Sequence, residues 1–153
     1  MDKLLSKEQI LTVMEEQGCN KYEHTAESMS KFQGKTIQER VEIINAQWQE
    51  HELYCKLDSD GTLSVLWGYK DKDKYVCICP CLKKMAKPAA SITYCGCCSG
   101  HIKHHFEQDL GVKLRLLETV SSPLSSGGEK QCEHRYEIIR NAIGGDFTHA
   151  GSK

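Results

Sequence analysis

The apolar residues of this 153-residue chain change their period once, near residue 50, and that change limits the fold more than any other feature. Ile37, Val41, Ile44 and Trp48 recur at i, i+4, i+7 and i+11, the spacing of one buried helical stripe. From Leu53 the period is two: Leu53, Cys55 and Leu57 alternate with polar neighbours, Asp58-Ser59-Asp60-Gly61 turns the chain, and Leu63, Val65 and Trp67 alternate again. Helical and strand patterns that occupy separate stretches point to an α+β fold, helices packed on one face of a sheet.

Local signals place the remaining elements. Ser6 with Gln9 and Thr36 with Glu39 have capping-box spacing, so a helix is expected after each, the first stopped by Gly18. A short helix is expected from about Ala26 to Phe32, before Gly34. Asp71-Lys72-Asp73 turns into a strand from Tyr75 to Cys79, which completes a three-stranded meander. A long helix runs from about Tyr94 to Leu110, stopped by Gly111, followed by a strand through Val112, Leu114 and Leu116. Ser121 to Gly128 reads as a flexible connection, and Cys132, His134, Tyr136 and Ile138 alternate as the last strand. The expected architecture is therefore α+β, with N-terminal helices, an antiparallel β-meander, one long helix and a C-terminal β-hairpin. Its sheet has about five strands with helices on one face. Residues 1–143 form a single domain, large enough for a real core, and 144–153 a flexible tail.

Charge excludes some partners. The 20 basic and 21 acidic residues nearly cancel, so no global field recruits nucleic acid or an anionic membrane. The opening Met1-Asp2-Lys3-Leu4-Leu5-Ser6-Lys7-Glu8 is too polar for a signal peptide, and a cytoplasmic, reducing location is expected. Phosphate-binding loops and dinucleotide fingerprints are absent from the sequence.

Against that background the cysteines stand out. Seven of nine lie between Cys77 and Cys132, six of them in two knots, Cys77-Ile78-Cys79-Pro80-Cys81 and Cys95-Gly96-Cys97-Cys98. Such a density of soft ligands in a chain read as cytoplasmic points to a thiolate metal site before disulfides. Zinc in a closed site takes four N, S or O ligands, and a cluster of cysteines alone also suits copper(I) or iron–sulfur. Cys97, His101 and His105 lie at i, i+4 and i+8, so the two histidines form a chelate-type pair on one helix face, with His104 expected to point away. Ile102 occupies the place of the glutamate that a metalloprotease needs. Cys98 with His101 has the spacing of a thiol and its base, and Asp109 or Glu107 can orient a histidine.

The stretch from Cys95 through the long helix, Gly111, the strand to Glu118, and Cys132 resembles the 4-vinyl-reductase domain family of small-molecule-binding modules. Cys95 matches that family's first cysteine, Gly111 its helix-stop glycine, Glu118 its acidic position and Cys132 its last cysteine. The family's remaining cysteine falls on Ser121. The resemblance implies a zinc ion beside a ligand pocket, held by Cys95, Glu118 and Cys132, and Cys97 or Cys98 can supply the fourth ligand. Cys77, Cys79, Cys81, His101 and His105 are secondary metal candidates, and an iron–sulfur cluster is the alternative cofactor. A more distant likeness to L-2-amino-thiazoline-4-carboxylate hydrolase-like proteins implies a metal- or thiol-dependent hydrolase as the alternative function. The implied pocket is lined by Trp48, Trp67, Tyr94 and Phe106 and takes an apolar or aromatic small molecule, in a homodimer that needs neither nucleic acid nor membrane.

Overall fold

A computed structural model describes residues 4–16, 22–77 and 96–139. Helix α1 (Lys7–Glu16) is followed by α2 (Ala26–Met29), which tightens into a 3-10 turn at Ser30–Phe32, and by α3 (Ile37–Trp48). Strands β1 (Tyr54–Leu57), β2 (Thr62–Trp67), β3 (Tyr69–Asp71) and β4 (Lys74–Val76) precede the long helix α4 (Gly96–Leu110). Strand β5 (Lys113–Ser121), the short helix α5 (Pro123–Ser126) and β6 (Cys132–Ile139) complete the described chain.

Both capping boxes form. At α1 the Ser6 N–H donates to Gln9 Oε1 at 2.8 Å and the Gln9 N–H to Ser6 Oγ at 3.2 Å. At α3 the Thr36 N–H donates to Glu39 Oε2 at 2.7 Å and the Glu39 N–H to Thr36 Oγ1 at 3.2 Å. Each box satisfies two of the donors that a helix start leaves without partners. Gly18 and the tail beyond Ile143 lie outside the described residues.

The architecture is α+β, but the strands divide differently from the expected meander. Four of them make one antiparallel sheet in the order β1-β2-β6-β5, and β3 and β4 pair only with each other. Burial explains the choice of neighbour for β2. Cys132, His134 and Tyr136 of β6 are buried, whereas every residue of β3 is exposed, so β6 gains far more by lying at the centre of the sheet. Gly68 lets the chain leave the sheet there: a Cβ on it would stand 2.8 Å from both Gln131 Cβ and Tyr75 Cδ1.

Phe32, Val41, Ile44, Ile102, Phe106 and Leu110 pack from the helical side against Cys55, Leu63, Val65, Leu114, Leu116 and Tyr136 on the sheet's inner face. The outer face is polar and carries ion pairs, Arg115 with Glu137 and Arg135 with both Glu118 and Asp60. The expected flexible connection after β5 contains α5 instead. Ser122 and Ser125 form a third capping box around Pro123, and Gly127 at φ 63° ends the turn. Among the described residues, no helix is long and apolar enough to cross a membrane.

Candidate functional site

Helix α4 presents His101, His104, His105, Gln108 and Asp109 at i, i+3, i+4, i+7 and i+8, a single polar stripe. Its C-terminus is set by Gly111 at φ 69°, whose N–H bonds to the Glu107 carbonyl at 2.9 Å. Arg40 from α3 donates from Nη1 to the Asp109 carbonyl at 3.1 Å, and the buried Glu107 carboxylate accepts the Leu114 N–H at 2.7 Å. These contacts hold the last turn of α4, and with it Asp109, against α3 and β5.

The chain ahead of α2 is bound to this stripe. Gln108 grips the backbone on both sides of Glu23, accepting the His24 N–H at 2.6 Å and donating to the Tyr22 carbonyl at 3.0 Å. His104 Nε2 reaches the same carbonyl at 3.1 Å. His104 therefore does not simply point away from the stripe; it helps to dock Tyr22.

Docking delivers His24 into a three-residue chain of hydrogen bonds. Its Nδ1 lies 2.8 Å from Asp109 Oδ1 and its Nε2 lies 2.7 Å from His105 Nδ1, with the two rings nearly parallel at 13°. An ionised Asp109 can only accept, so His24 carries its proton on Nδ1 and offers Nε2 as an acceptor. His105 must then donate from Nδ1, which places its own lone pair on Nε2. This tautomer assignment follows from the hydrogen-bond chain. Burial pushes the Asp109 carboxyl above its ordinary pKa, against the opposing effects of His24, Lys31 and Arg40. A proton entering the chain therefore finds two imidazoles to share it and a carboxylate to balance the charge.

Beside this chain is a cavity of about 390 Å³ between α3, α4 and the end of β2. Trp48, Trp67, Tyr69 and Phe106 supply aromatic walls, and His24, His51, His101 and His105 the polar groups. His101 and His105 meet edge to face, 4.6 Å between centroids. Asp109 is the one carboxylate among the described lining residues, and it is already bonded to His24. The indole Nε1 of Trp67 is buried with no hydrogen-bond partner. Two wider hollows, one beside Asn45 and Tyr54 and one on the outer face around Asp58 and Arg135, are more open to solvent.

The residues expected to line a pocket largely meet. Trp48, Trp67 and Phe106 line this one cavity together with His101 and His105, while Tyr94 lies outside the described residues. The expected metal set fares differently. Glu118 pairs across the ladder with Arg135 on the outer face, its carboxylate 3.4 Å from the guanidinium. Cys132 is buried on the inner face with His134 and Tyr136. Successive strand residues alternate faces, so Glu118 and Cys132 are on opposite sides of the sheet and do not share an ion. Cys98 is half-buried in the first turn of α4 and Cys77 half-buried just after β4. Cys79, Cys81, Cys95 and the side chain of Cys97 lie outside the described residues. Among the described residues, no group of three or more His, Cys, Asp or Glu side chains is arranged to hold a metal ion.

Three histidines, His24, His51 on the cavity wall and His134, were not anticipated as functional. His24 comes from a polar stretch 81 positions before His105, and no spacing rule connects them. His134 is fully buried, with Nδ1 2.9 Å from Thr119 Oγ1 and Nε2 without a partner. Its burial was visible in the Cys132, His134, Tyr136 alternation. Compared with known proteins, the chain matches no family model, and no curated protein and no solved structure matches it significantly.

Proposed function

We propose that this chain is a small-molecule-binding, sensor-like domain of the cytoplasm whose ligand, apolar or aromatic, occupies the cavity between α3, α4 and β2. The observation that carries the reading is the cavity itself: about 390 Å³, walled by Trp48, Trp67 and Phe106 and edged by imidazoles held in place by Asp109 and Gln108. Volume and lining match the usual form of a ligand site, mostly apolar with a few fixed polar groups. The resemblance to 4-vinyl-reductase domains implies the same kind of function. Both tryptophans of the chain line the cavity, so intrinsic fluorescence reports on it directly. Saturable quenching by a planar aromatic probe, lost in Trp48→Ala without a change in melting temperature, supports the proposal. No saturable response from any aromatic probe, together with no small molecule in native mass spectra of the purified protein, refutes it.

The hydrogen-bond chain favours a second reading, a hydrolase. There His105 Nε2 takes a proton from an attacking water, and Asp109 stabilises the resulting imidazolium through His24. A hydrolytic activity abolished by His105→Gln, in a variant that melts as the parent does, identifies this role. A thiolate-only site for zinc, or an iron–sulfur cluster, on Cys95, Cys97, Cys98 and Cys132 is a separate proposal supported by cysteine density. Elemental analysis of protein purified without added metal tests it, and the strand geometry leaves Glu118 out of it.

A further inference from the structure

We infer that residues 22–25 form a detachable wall of the cavity, latched to α4 by Gln108, and that a bound ligand holds this strap closed. The inference rests on the proposed binding function and names how that same site is regulated.

The two sides of the contact differ in how firmly they are held. Ile102, Phe106 and Leu110 seat α4 on the sheet, and Arg40 and Glu107 fix its last turn to α3 and β5. Residues 22–25 belong to no helix or strand. Tyr22, Glu23 and His24 make no backbone-to-backbone hydrogen bond among the described residues. Tyr22 is 63% exposed, and Glu23 and Thr25 are exposed as well. Side chains of α4 hold the segment instead: His104, His105, Gln108 and Asp109. Ordering a few residues costs roughly what a few such bonds return, so docking is close to balance and local opening is cheap.

Opening alters the cavity because Tyr22 and His24 are part of its lining. The Tyr22 ring lies 4.6 Å from that of His105, and the His24 ring stacks on His105 at 4.9 Å. Undocking carries both rings out of the wall and takes from Asp109 the imidazole bonded to it. A ligand that touches those rings binds the docked form better than the open one. Ligand and strap then stabilise each other by linkage.

Gln108 is the positioning residue because its amide is committed at both ends. Its Nε2 faces two carbonyls, Tyr22 at 3.0 Å and His104 at 3.3 Å, and its Oε1 faces the His24 N–H at 2.6 Å. These partners fix which end of the amide is which. Glutamate has the same shape and a similar helix propensity, but it sets an oxygen against both carbonyls. Gln108→Glu therefore weakens the latch and leaves the packing of α4 alone.

Amide exchange followed by NMR near neutral pH reads the strap, with the His24 N–H as reporter. Calorimetry first finds the tightest binder among 1-naphthol, 1-naphthoate and 1-naphthylmethylammonium. With that probe at about ten times its Kd, His24 exchange should slow about tenfold, as linkage requires of a ligand confined to the docked form. The Gly61 N–H, in the turn between β1 and β2, should not change. In Gln108→Glu without probe, His24 exchange should quicken about tenfold, the usual effect of losing one such contact, while Leu114 exchange and the melting temperature stay as in the parent. A bound probe that leaves His24 exchange unchanged overturns closure by ligand while leaving the cavity a binding site. That measurement uses the parent protein and does not depend on how the variant folds. Unchanged His24 exchange in Gln108→Glu overturns the latch. If none of the three probes binds, both the closure and the binding function are refuted.

Discussion

Acidification should unfold this protein through one buried residue, His134. Its ring lies on the inner face of β6, with Val65 of β2 on one side and Thr119 of β5 on the other, fully enclosed. Thr119 Oγ1 meets Nδ1 at 2.9 Å, and no group is bonded to Nε2. A proton added there creates a charge in the middle of the sheet, and burial accordingly lowers the pKa to about 4 from the 6.5 of an exposed histidine. The unfolded chain therefore binds a proton between these two values that the folded chain refuses. The stabilising contribution is complete above pH 6.5, falls as the pH drops through the window, and is gone below about 4. At about 1.4 kcal/mol per pH unit, the window is worth about 3 kcal/mol. That is a large part of the 5–15 kcal/mol typical of a domain, roughly speaking.

Urea unfolding followed by circular dichroism at pH 7.5 and pH 4.5, at constant ionic strength, measures the loss. The control is His134→Asn, whose amide keeps a partner for Thr119 and does not titrate. The variant starts lower because it leaves unfilled space, so the quantity compared is the fall between the two pH values. The parent should lose about 2–3 kcal/mol more than the variant, most of the window having been crossed by pH 4.5. Since His24, His51, His101, His104 and His105 are common to both proteins, their contribution cancels. Parallel declines in parent and variant would refute the reasoning.

Two further outcomes follow from buried contacts. Asn45 closes the outer edge of β1, donating to the Cys55 carbonyl and accepting the Cys55 N–H, both at 2.8 Å, so Asn45→Ala should cost about 2 kcal/mol and speed exchange of the Cys55 amide; a loss below about 0.5 kcal/mol in urea unfolding would show that water replaces the side chain without penalty. Cys55 is fully buried, and desolvation, with a smaller contribution from Asp109, pushes its thiol up to about 12, so it should resist a disulfide reagent at pH 8 until the protein is unfolded; peptide mapping that finds Cys55 labelled in the native protein would contradict this.

How much of this could be read beforehand differs by residue. Trp48, Trp67 and Phe106 were legible as one aromatic group because each sits at a regular place in its element, and the layers of the fold bring those places together. Glu118 was not, because a register irregularity between Leu116 and Glu118 interrupts the simple alternation of β5, and only its pairing with Arg135 reveals the face. His24 was hidden for another reason. It belongs to no periodic element, and its position depends on Gln108 holding a strip of backbone 84 residues away.

The one-dimensional pattern determined what is local: both helix starts with capping boxes at Ser6 and Thr36, the stop at Gly111 and the alternation of β1, β6 and the first half of β5, since each depends on hydrogen bonds or side-chain directions within a few residues. Tertiary structure alone decided that β6 lies between β2 and β5, that β3 and β4 leave the sheet, and that His24 joins Asp109 and His105. Those choices compare the burial gained by distant segments competing for the same neighbour, and that comparison exists only once the chain has closed on itself.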